Sequence, residues 1–145
     1  MKKLSRTQVV ALVVVVALAA FNITIPAGKS AASNWKFALS HPTILLHVIA
    51  ATAVLVVAVV ALIAALRSRD RSWVAMSAAG LAFVLLAFAA GEDYVMSLHN
   101  SALSLMSVGW AGAVIMYGIG WYLGRKKERR TAAGARQGYR QTPRP

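Results

Sequence analysis

The side chains of this sequence best suited to chemistry are three histidines, His41, His47 and His99, two methionines near them, Met96 and Met106, and the adjacent acids Glu92 and Asp93. A neutral imidazole can hold a metal or move a proton, and a thioether is a soft ligand for Cu(I). Cysteine is absent, which removes disulfides, thiolate metal sites and thiol nucleophiles from consideration. Glu92, Asp93 and His99 share one short polar break, residues 91–100, between two long apolar runs. Any chemistry of this chain has its first candidate site there.

The elements that must carry these residues follow from hydropathy. Hydrophobic residues make up 59% of the 145-residue chain and the mean hydropathy is +0.62, beyond the ordinary globular range. Four apolar runs account for the excess, predicting helices over about 7–25, 41–66, 73–91 and 95–123. The β-branched stretch from Val54 to Val60 would suit a strand in water, but an unbroken apolar run of that length in lipid must be helical. The first run, with Lys2, Lys3 and Arg6 ahead of it, is read as an uncleaved membrane helix, with a signal peptide as the alternative. Residues 26–40 read as a polar loop with Trp35 at the membrane interface, and Pro42 suits the first turn of the next helix. The run at 73–91 is rich in Ala and Gly, which lets backbones approach closely. The expected fold is all-α: an up-down antiparallel four-helix transmembrane bundle over residues 1–124, with residues 125–145 a disordered basic tail.

Charge sets the expected orientation. The net charge is +12, but fourteen of the sixteen Lys and Arg lie before the first run, in Arg67 to Arg71 or beyond Gly124, and only Lys29 and Lys36 fall on the other side. That asymmetry predicts a cell-membrane protein with both termini cytoplasmic. The partners expected are the lipid bilayer, anionic lipid head groups along the basic tail, and another membrane protein. Nucleic acid is not expected, because Tyr139 is the tail's only aromatic stacking residue.

No Asp, Glu, Lys or Arg falls inside the apolar cores, which argues against ion pumps and ion-coupled transporters. His47 and His99 come out at similar depth, roughly 8–9 Å below the same surface at the helical rise. Two imidazoles at matched depth on different helices are what axial ligation of haem b needs. His47 and His99 with Met106 form the rival copper set, and the plain alternative is that each histidine is satisfied by a carbonyl, a hydroxyl or interfacial water. On the last helix His99, Met106, Trp110, Ala113, Tyr117 and Trp121 share one broad face, and Gly109 and Gly112 beside Trp110 are candidate close contacts. Glu92 and Asp93 are expected to cap that helix at its positive end.

The pattern His47-x-x-x-Ala51, an Arg-rich turn, an Ala/Gly helix closing at Gly91, and Ser104-Leu-Met-Ser-Val-Gly-Trp-Ala-Gly-Ala with Tyr117 resembles a group of small uncharacterised four-helix membrane proteins of actinobacterial type. More distantly, histidines opening the second and fourth helices resemble one half of the haem A synthase bundle or a cytochrome b561-like arrangement. Those families ligate haem through helix-borne histidines, which the resemblance maps to His47 and His99. The first helix carries neither Glu nor His, a departure from the synthase pattern. The function expected is that of a non-enzymatic accessory or stand-alone bundle, with a haem b electron carrier as the alternative.

Overall fold

The computed structural model describes residues 30–140 and Val10. The expected helix at about 7–25, with its signal-peptide alternative, lies outside the described residues. Four helices follow: α1 (Ala31–Ser40), α2 (Pro42–Ser68), α3 (Arg71–Ser97) and α4 (Asn100–Arg140). Three of them, α2, α3 and the 100–127 part of α4, are long and apolar enough to cross a membrane. At the helical rise a 27-residue helix is about 40 Å long, more than the ~30 Å hydrocarbon core.

The short α1 replaces the expected loop. Ser30 and Ser33 form a reciprocal capping box, and Asn34 and Ala38, four residues apart, supply its buried face. The helix stops at His41, whose extended conformation (φ −92°, ψ 116°) is the one a following proline imposes. Pro42 then opens α2, where a missing N–H costs nothing. At the far end Arg69 turns the chain in the left-handed region (φ 56°), and Asp70 caps α3 by accepting from the Trp73 N–H at 3.4 Å.

The expected break at residues 91–100 is mostly helix. α3 runs on through Gly91, Glu92 and Asp93 to Ser97, and only Leu98 (φ 58°) and His99 separate it from α4. Glu92 and Asp93 therefore do not cap the following helix: they sit in the last two turns of α3, at its negative end. α4 likewise continues past Gly124 to Arg140, where the sequence alone predicts a chain without structure.

α3 is the element the others pack on, touching α1, α2 and most closely α4. One core joins Val54 and Ala58 of α2, Val84 of α3, and Ala113 and Tyr117 of α4, with Phe83 and Trp110 alongside. A second joins Ala38, Ile44 and Val95, with Trp35 and Tyr94 packed against it. Small residues set the α3–α4 spacing: Gly109 lies on the Ala87 and Phe83 backbone, Gly112 on the Phe83 ring and Gly80 on the Tyr117 ring.

Candidate functional site

The second core sits at the α1 end of the bundle, and beside it all four helices enclose a half-open cavity of about 290 Å³. α1 supplies Trp35, held because the Asn34 side-chain amide donates to the Val95 carbonyl at 3.0 Å in a buried bond. α2 supplies Ile44, His47, Val48 and Ala51, spaced by three, one and three as one helical face requires. α3 contributes Ala87, Phe88, Gly91, Glu92, Tyr94 and Val95, and α4 contributes Leu103 and Met106. The missing side chain at Gly91 keeps the space open, since a Cβ there would meet only Met106 Sδ, at 3.7 Å.

The cavity has a polar end and an apolar end. Tyr94 and Glu92 lie about 4–8 Å from the end of α3 at the helical rise, whereas Ala51 and Ala87 lie about 14–15 Å from the nearer ends of their helices. Tyr94 and Glu92 thus stand nearer the mouth, and Ala51, Ala87 and Phe88 line the deeper part. Charge at this end of the described chain is sparse and acidic, with exposed Glu92 and Asp93 against Lys36.

The sequence-predicted site residues divide accordingly. His47, Met106 and Glu92 come together around the cavity. His99 does not line it: it is exposed, precedes α4, and gives its carbonyl to the Ala102 N–H at 3.1 Å. Asp93 and Met96 are exposed, and His41 stacks on Phe37 with ring centroids 5.4 Å apart. Trp110 is half-buried in the α2–α3–α4 core with Gly109 and Gly112 at its flanks, away from the cavity. Among the described residues no three His, Asp or Glu side chains converge as a metal cage. Sequence reasoning missed Trp35, Phe88 and Tyr94 as cavity walls. Trp35 read as an interface residue, and no spacing along one helix tells which side of it a neighbour encloses.

At the opposite end the α2–α3 turn and α4 are tied by an ion pair, Lys127 Nζ to Asp70 Oδ2 at 2.9 Å. The Lys127 ammonium, and then the Trp73 N–H, hold the Asp70 carboxyl below its ordinary value of 3.8. Arg125 stacks over the Trp121 ring at 4.6 Å, placing cationic side chains beside an aromatic belt.

No protein-family model, curated protein or solved structure matches this chain. Its class rests on the fold: a small all-helical protein with three helices, among the described residues, long and apolar enough to cross a membrane.

Proposed function

We propose that the protein is a non-enzymatic integral membrane protein that works by contact, as an accessory to a membrane partner, with the Arg67–Arg71 turn cytoplasmic and the cavity end outside. The observation that carries this reading is the outward display of large apolar side chains along every span. Ile49, Val56, Leu66, Val108 and Ile115 are each more than half exposed. Side chains of that kind need lipid or another helix against them. The charge asymmetry supports the orientation, since Arg67, Arg69, Arg71, Arg125, Lys126 and Lys127 gather at one end.

Because the chain has no cysteine, an introduced one is its sole thiol label. In intact cells a membrane-impermeant maleimide is expected to label Asp93→Cys and to leave Arg71→Cys unlabelled until the cells are opened. The protein stays with membranes through alkaline carbonate. Release by carbonate ends the membrane reading, and labelling of Arg71→Cys from outside ends the orientation. A photocrosslinker at Val59 or Ile63, both exposed on α2, is expected to yield a discrete protein adduct. Adducts to lipid alone would make the protein a stand-alone bundle.

A further inference from the structure

The cavity at the α1 end combines features that the contact role does not use. Its mouth holds a carboxylate, Glu92, among the aromatic side chains of Trp35 and Tyr94, with Phe88 on the same wall. A carboxylate and aromatic faces are what a desolvating organic cation needs, because the ring quadrupole and the negative charge attract the same ammonium group. The apolar lining of Ala51, Ala87, Val48, Leu103 and Met106 suits a hydrocarbon body. At 290 Å³ the space is about twice the ~150 Å³ apolar cavity that accepts benzene. The two chains of a phospholipid exceed that space, and a single short chain or a fused ring pair fills it.

We propose that this cavity binds small amphiphilic organic cations, with the ammonium head at Glu92 beside Trp35 and Tyr94 and the apolar body on the Gly91–Met106 lining. The basic cluster lies at the other end of the molecule, so no strong positive field opposes a cation here. Glu92 and Gly91 divide the work, Glu92 selecting the head and Gly91 leaving room for the body. The inference goes beyond the contact role and takes from it only which end faces outward.

The test uses the full-length protein in neutral maltoside micelles with radiolabelled decyltrimethylammonium, so it does not depend on the outcome of the labelling or carbonate experiments. Saturable binding at one site per chain is expected, displaced by unlabelled ligand and not by decyl sulfate. Glu92→Gln, which keeps the side chain's shape, and Gly91→Phe, which fills the cavity, should each weaken it at least tenfold. Asp93→Asn, one residue along and outside the lining, should leave it unchanged. Helical circular dichroism confirms that each variant is folded, and Glu92→Gln decides the matter if Gly91→Phe is not. Equal competition by decyl sulfate overturns the proposal, as does equal weakening by Glu92→Gln and Asp93→Asn. Displacement by equimolar phosphatidylcholine would assign the cavity to a lipid head group and overturn it too.

Discussion

Gly109→Ala adds one methyl group where the α4 backbone lies against the α3 backbone. A Cβ on the existing backbone would lie 2.7 Å from the Ala87 nitrogen, 2.8 Å from the Phe83 oxygen and 3.0 Å from the Ala87 Cα. Normal non-bonded contacts of carbon sit near 3.5–4.0 Å, so the helices must part by roughly 0.7–1 Å. All three neighbours are backbone atoms, so no side-chain rotation relieves the overlap. A gap of that size forfeits about a quarter to a half of the attraction across the seam, and overpacking of this kind costs about 1–3 kcal/mol. Alanine is the better helix former by about 1 kcal/mol, which offsets part of the loss. The net expectation is a destabilisation of about 0–2 kcal/mol. Gly118→Ala is the control: nothing lies within 4 Å of its added Cβ, so only the propensity gain of about 0.5–1 kcal/mol acts. Denaturation of the full-length protein in bicelles, followed by tryptophan fluorescence, measures both. A Gly109→Ala protein as stable as Gly118→Ala would refute the close crossing.

Asn34→Ala removes the buried bond to the Val95 carbonyl and should loosen α1 by about 1–2 kcal/mol, read as a shift of Trp35 emission in a variant with the other tryptophans replaced. Asp70→Asn weakens a helix cap and an ion pair whose lysine is 69% exposed. Little of its expected loss of about 1 kcal/mol comes from the pair itself. Because the folded Asp70 carboxyl titrates below 3.8, its contribution is present above that value. It fades as pH falls through the lower folded value, an acid-side loss that the Asn variant should lack. Tyr117 is 2% exposed and its hydroxyl has no hydrogen-bond partner among the described residues. Tyr117→Phe should therefore hold or raise stability, and a loss above about 1 kcal/mol would reveal a partner in the undescribed part of the chain. Expression with added haem should give a colourless protein without bound copper; a reduced Soret band lost in His47→Ala would restore haem ligation, and copper lost in Met106→Ala would restore the thioether site.

The three long helices were legible because an apolar run of such length has one solution in lipid. The contact glycines were legible because Gly109 and Gly112 flank a tryptophan far from either interface. The helix ends were not. α3 stops at Leu98 in the left-handed region, a place usually marked by Gly or Asn, so the polar residues before it looked like the boundary. α4 continues beyond Gly124 because Arg, Lys and Glu are good helix formers and extending a formed helix needs no new nucleus. The lack of an apolar period there spoke only against packing. α1 was hidden by its ten residues, too few for periodicity to stand out, although Ser30 and Ser33 at cap spacing were a usable signal. His47 and His99 were paired on depth alone, whereas sharing a site also requires the right rotation about each axis, and His99 precedes its helix altogether.

The relocation of Glu92 and Asp93 changes what these acids do. At the start of a helix they would be stabilised by the unpaired N–H groups and by the positive end of the dipole. In α3 they stand five and four residues before Ser97, short of the last turn, so they cap nothing and gain nothing from the dipole. Helix electrostatics therefore do not account for two adjacent carboxylates in this position. One of the two, Glu92, turns to the cavity mouth and the other does not, as successive residues about 100° apart on a helix must. The adjacent pair thus contains its own control. If the negative charge served only to keep this end of the molecule acidic, neutralising either residue would have the same effect on a bound cation. If the cavity uses it, only Glu92 matters, and the ratio of the two effects measures how far the site is enclosed.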